Sequence, residues 1–99
     1  MAAEPTELDE QALALRRQSK GFGKIAQALG LSRPSDANEA FNRALRRRPP
    51  EEQAAIRVEE NDRLDRLREA VAADNQRTKE EVDKRLRAIE RLRTRLMSD

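Results

Sequence analysis

The chain has 99 residues, of which 40% are charged and 36% hydrophobic, with a net charge of +2 and Phe22 and Phe41 as its two aromatic residues. That inventory allows one small domain with an extension and excludes a large buried core. Cys and His are both absent, which excludes thiol chemistry, disulfides, Cys/His zinc sites and imidazole catalysis.

No apolar run approaches the ~20 residues of a membrane span, and the acidic start MAAEPTELDE is unlike a signal peptide. The expected location is therefore the cytoplasm. Gly and Pro number three and four, and no segment alternates as a strand would. Leu, Ile, Val and Ala fall instead in periodic runs, so the expected fold class is all-α.

The first helix is expected to start at Thr6, with Asp9 at the capping-box position and Leu8, Ala12, Leu13 and Leu15 along one side. It should end at Ser19-Lys20-Gly21, where Gly21 can supply the left-handed residue that closes many helices. A short second helix follows from Phe22 to Leu29 and stops at Gly30. Leu31-Ser32-Arg33-Pro34 reads as a turn. The third helix begins near Ser35-Asp36 and carries Ala37, Ala40, Phe41, Ala44 and Leu45 in steps of three and four, an amphipathic stripe.

The decapeptide FGKIAQALGL has the chemistry of two short helices crossing steeply. A small residue is needed where the second helix crosses the first, and Ala26 occupies that place. A residue tolerating positive φ is needed in the turn, and Gly30 does so without steric cost. Ile25, Leu29 and Leu31 flank the pair, while Ala37 and Phe41 anchor the next helix inward. The constellation resembles the helix-turn-helix family, with a turn about one residue longer than usual because Ala37 takes the anchoring position in place of Asp36.

Charge is distributed to match. Residues 21–50 carry six basic and two acidic groups, whereas residues 51–75 carry four basic and eight acidic. In a helix-turn-helix the N-terminal residues of the recognition helix meet base edges and its basic end meets phosphates. Ser35, Asn38, Asn42 and Arg43 are accordingly the candidate base contacts, Asn and Arg being able to pair bidentately with adenine or guanine. Lys24, Arg33, Arg46, Arg47 and Arg48 are the candidate phosphate contacts.

Arg48-Pro49-Pro50 marks a boundary, since two prolines cannot sit inside a helix, and Glu51 and Glu52 suit the start of a new one. The expected domains are thus 1–48, which reads DNA, and 51–99, a helical segment for oligomerisation, separated at 49–50. Ile56, Leu64, Leu67, Val71, Val82, Leu86, Ile89 and Leu96 form the candidate oligomer seam of the coiled-coil type. The seam fails at Asp74-Asn75-Gln76-Arg77-Thr78. One long helix bent there and a hairpin folded there both fit; with no Gly or Pro in the segment, the long helix is preferred.

Other motifs carry less. GFGK at 21–24 lacks the Gly-Lys-Ser/Thr and preceding strand of a phosphate loop. Glu59–Arg63, Asp62–Arg66 and Asp65–Arg68 are spaced as helix-stabilising pairs. No carboxylate pair sits in apolar surroundings that would tune it for catalysis, so neither catalytic residues, metal ligands nor a cofactor are expected. Arg85, Arg87, Arg91, Arg93 and Arg95 read as a coiled-coil exterior, ahead of a second nucleic-acid face.

From about Leu13 to Leu67, the runs GFGKIAQALGLS, NRALRRRPPEEQAAIR and NDRLDRLREA resemble small helix-turn-helix proteins of tailed phages and prophages, including small terminase subunits. The resemblance implies an N-terminal reader of packaging-site DNA and a following helical segment that builds a homo-oligomer, with a larger packaging or regulatory protein as partner. A small transcriptional regulator is the alternative within DNA binding. A coiled-coil adaptor or scaffold without DNA binding is the alternative outside it.

Overall fold

The computed structural model describes residues 4–98, so Met1–Ala3 of the acidic start and Asp99 fall outside the described residues. Every element among the described residues is helical: α1 (Pro5–Arg17), α2 (Phe22–Leu29), α3 (Pro34–Arg46), α4 (Pro50–Ala73) and α5 (Lys79–Met97). The chain divides into two compact units, Met1–Gln53 and Ala54–Asp99.

In the first unit α1, α2 and α3 all pack on one another. Ala12, Leu13, Phe22, Ile25, Ala26, Ala37, Ala40, Phe41, Ala44 and Leu45 are buried at its centre. The two aromatic rings meet edge to face, 5.8 Å between centroids. The guanidinium of buried Arg16 lies over the Phe22 ring at 4.0 Å, and its Nη1 donates to the Lys20 carbonyl at 3.0 Å. This one cation therefore covers the apolar centre and satisfies the chain just beyond α1. Alanine fills half of the core positions, which lets three short helices approach closely on few large side chains.

Both helix ends in this unit close by the same device. At the end of α1, Lys20 N–H reaches the Leu15 carbonyl at 3.2 Å and Ser19 N–H the Arg16 carbonyl at 2.8 Å. At the end of α2, Leu31 N–H reaches Ala26 at 2.8 Å and Gly30 N–H reaches Gln27 at 3.4 Å. Each is a Schellman closure, which requires a left-handed residue. Gly30 supplies it at φ 70°, and Ser19 supplies it at φ 69°.

The expectation for Gly21 is corrected here. Its backbone is extended (φ −71°, ψ 153°) and it precedes α2 as the N-cap. The short polar side chain of Ser19 takes the left-handed turn two residues earlier. The start of α1 differs from expectation as well. Glu4 is the N-cap, with no side-chain capping bond, and Pro5 opens the helix. Proline favours the first helical turn because its missing N–H would be unsatisfied there anyway. Thr6 thus lies inside the helix, and Asp9, expected to cap, is buried.

The end of α3 and the start of α4 are joined through Gln53. Its amide donates to the carbonyls of Arg46 at 3.3 Å and Arg48 at 2.6 Å, two acceptors that the helix end leaves open.

In the second unit the chain turns back on itself as a hairpin, in place of the preferred long helix. α4 and α5 run antiparallel, with Arg57 Nε donating to the Leu96 carbonyl at 3.1 Å. Arg93 bridges to Asn61 Oδ1 at 2.7 Å and Asp65 Oδ1 at 2.8 Å. The turn is made by side chains rather than by Gly or Pro. Asp74 accepts from Gln76 N–H and from Arg77 Nε, both at 2.9 Å. Thr78 caps α5 by accepting from Glu81 N–H at 3.2 Å. An Asx turn followed by a Thr-x-x-Glu start ends one helix and begins the next.

The expected oligomer seam is divided by this fold. Ile56, Leu64, Ile89 and Leu96 are buried within the single chain. Val71, Val82 and Leu86 are half-buried, and Leu67 is exposed. Of the residues in the expected helix pairs, Arg63 bonds to Glu60 at 2.6 Å, and Asp65 reaches across to Arg93 at 2.8 Å.

Candidate nucleic-acid interface

α2 has eight residues and α3 thirteen, and only residues 30–33 connect them. The Schellman closure at Gly30 reverses the chain, and Pro34 starts α3 with its φ already set for a helix. Ile25, Ala26, Ala37 and Phe41 are buried at the crossing, and Leu29 and Leu31 are half-buried beside it. The small side chain of Ala26 lets the helices approach, as a larger one would not.

The candidate base contacts divide. Ser35 is exposed in the first turn of α3. Asn38 and Asn42, expected on the outward face, are buried, Asn42 to 1% exposure. Asn42 Nδ2 donates to the Asn38 carbonyl at 2.9 Å, and its Oδ1 is buried without a hydrogen-bond partner. These two asparagines therefore face the interior and are withdrawn as base contacts. More of α3 is buried than its apolar stripe alone requires.

Arg43 is directed towards α1. Its Nε lies 3.1 Å from Asp9 Oδ2 and its Nη2 lies 3.0 Å from Asp9 Oδ1, a two-toothed grip. Arg47 Nη1 adds a third bond to the same carboxylate at 3.2 Å. Asp9 is 3% exposed, so its charge lies within the α1–α3 contact and needs these partners. Glu10, beside it, takes Arg48 and the remaining end of Arg47. Of the basic cluster at the end of α3, Arg43, Arg47 and Arg48 thus already hold carboxylates. Asp9 and Glu10 are the residues that spacing alone did not point to, because their partners lie 34 to 38 residues away along the chain.

Three other cations are more available. The Arg33 side chain is 74% exposed, with Asp36 as a neighbour at 3.5 Å, and Lys24 is exposed on α2. Lys20 shares with Lys24 the rim of a small hollow lined by Leu15, Ile25 and Ala28. Its position four residues before Lys24 was the signal for it. Arg46 is half-buried, and one of its terminal nitrogens is enclosed without a hydrogen-bond partner. Lys20 and Lys24 thus share one exposed hollow, and Arg33 and Ser35 are exposed at the start of α3.

Among the described residues no group of three or more His, Cys, Asp or Glu could hold a metal ion, and no helix is long and apolar enough to cross a membrane. No family model, curated protein or solved structure matches the chain.

Proposed function

We propose that the chain binds double-stranded DNA through α2 and α3 acting as a helix-turn-helix, and that the α4–α5 hairpin joins copies into a homo-oligomer. The observation that carries this reading is the link between the two helices. A short helix closed by left-handed Gly30 is followed within four residues by a longer helix, with α1 supporting both. The exposed cations Lys20, Lys24 and Arg33 are available to that module for phosphates. Ser35 is the base-edge candidate that remains exposed.

The hairpin supports assembly. Two helices alone bury little, and Val58, Leu67 and Met97 remain exposed on this one. Within this reading the role is DNA recognition of the small-terminase kind, and a larger assembly of copies distinguishes it from a dimeric transcriptional regulator. The adaptor reading has one observation in its favour: Arg43, Arg47 and Arg48 are engaged with α1 carboxylates.

Fluorescence anisotropy with a short labelled duplex separates the readings. Binding should weaken as salt rises, and the double variant Lys24→Gln/Arg33→Gln should reduce the slope of log affinity against log salt by about 1.8, at about 0.9 per phosphate contact. An unchanged slope in that variant contradicts the helix-turn-helix assignment.

A further inference from the structure

We infer that α5 carries a second phosphate-binding surface for duplex nucleic acid, built from Lys84, Arg87 and Arg91. The inference deepens the DNA-binding reading and takes the duplex as partner from it, but it rests on different residues. All three side chains are exposed. Positions 84, 87 and 91 lie three and four apart and so form one row along the helix. Arg68 of α4 lines an open groove of about 670 Å³ together with Leu86, Arg87, Glu90 and Arg91, and Lys84 lies beyond it.

The charge state of this row differs from that of α3. There, Arg43, Arg47 and Arg48 hold Asp9 and Glu10. On α5, Glu81 approaches Arg77 and Glu90 approaches Arg93. Among the described residues Lys84, Arg87 and Arg91 form no ion pair, although Glu80 and Asp83 stand one turn before Lys84 and Arg87. Like charges at this spacing repel and disfavour the helix. A polyanion would relieve the repulsion that the acids at positions 80, 83 and 90 do not offset.

The chemistry favours a phosphate backbone over an acidic protein face. Tight protein interfaces depend on buried aromatic or apolar anchors, and this row has none of its own. Long cationic side chains of one sign are what phosphates need. At ~1.5 Å per residue the row spans ~10 Å, and one duplex strand presents a charge every ~3.4 Å of axis. Three cations therefore face about three phosphates.

The test uses the full chain carrying Lys84→Gln/Arg87→Gln/Arg91→Gln, titrated with a short labelled duplex across a salt series. The slope of log affinity against log salt should become shallower by about 2.7, three contacts at about 0.9 each. Helix content should be unchanged by circular dichroism, and Arg87→Lys/Arg91→Lys should keep the wild-type slope. If the triple variant loses helix, the single variants are read instead, each with a step of about 0.9. An unchanged slope overturns the inference. So does a changed assembly mass with the slope retained, which would assign the row to contacts between proteins. Lys24→Gln/Arg33→Gln, measured alongside, keeps the two claims apart: loss only there leaves the helix-turn-helix reading and removes this one, and loss only in the α5 variant does the reverse.

Discussion

Asp9 is the most consequential side chain that the first unit hides, and its ion pairs make an asymmetric prediction. Its carboxylate is 4% exposed, whereas the Arg43 and Arg47 side chains that hold it are 50% and 41% exposed. Removing the acid by Asp9→Asn leaves two guanidinium groups able to turn into water. The cost is then the charge-assisted bonding, about 1.5–3 kcal/mol. Removing the bases by Arg43→Met/Arg47→Met leaves a buried carboxylate with no counter-ion, a loss of about 3–5 kcal/mol. Adding Asp9→Asn to that double variant should recover stability, because no isolated charge remains inside, so the three changes are strongly non-additive. Urea unfolding followed by circular dichroism measures this as midpoint shifts at constant m. On the proposed DNA-binding reading, the Asp9→Asn protein should also bind duplex DNA with a steeper salt dependence, by up to about 1.8, as two guanidinium groups become available to phosphates. The reasoning is refuted if Asp9→Asn destabilises as much as the double arginine variant, or if the triple combination is the least stable of the three.

Substitutions at four further positions probe the turns and the core. At the two left-handed positions the effects should have opposite sign: Gly30→Ala should destabilise by about 1–2 kcal/mol through backbone strain alone, since a Cβ there meets nothing within 4 Å, while Ser19→Gly should be neutral or stabilising by thermal denaturation. Thr78→Ala should cost about 1 kcal/mol by removing the acceptor for Glu81 N–H, and Thr78→Ser should restore it. Asn42→Ala should leave the DNA affinity of the folded protein unchanged by anisotropy, because the side chain is buried.

The N-terminal helices were legible from local rules. The bounds of α2 are those expected, because Phe22, Ile25 and Ala26 fall on one face and Gly30 is the residue that a left-handed closure favours. α3 begins one residue before the expected start, as Pro34 suits its first turn. Ser19 was not legible, since serine seldom takes positive φ and Gly21 was the better candidate on propensity. The hairpin, one of the two expected forms, ranked second for want of Gly or Pro, although the Thr78-x-x-Glu81 pattern and Asp74 were present in the sequence as turn chemistry.

The candidate site was less legible for a different reason. Periodicity assigns a side chain to a face but does not say how wide the buried arc is. On α3 that arc extends past the apolar stripe to take in Asn38 and Asn42. Charge runs likewise count cations without their partners. Arg43 and Arg47 were readable as basic and Asp9 as acidic, but their meeting depends on the packing of α1 against α3. The arginines of α5, read first as an exterior face, gain weight because no such partners reach Lys84, Arg87 and Arg91.

The central claim is that this chain holds duplex DNA by its phosphates, and one titration tests it most directly. The full chain is mixed with a short labelled duplex and the dissociation constant is measured from about 50 to about 200 mM salt. The account predicts binding at the low end that weakens along a straight line in log affinity against log salt, with a slope of at least −1.8 in magnitude from Lys24 and Arg33 alone, at about 0.9 per contact. No binding at the lowest salt, or binding indifferent to salt, would contradict it.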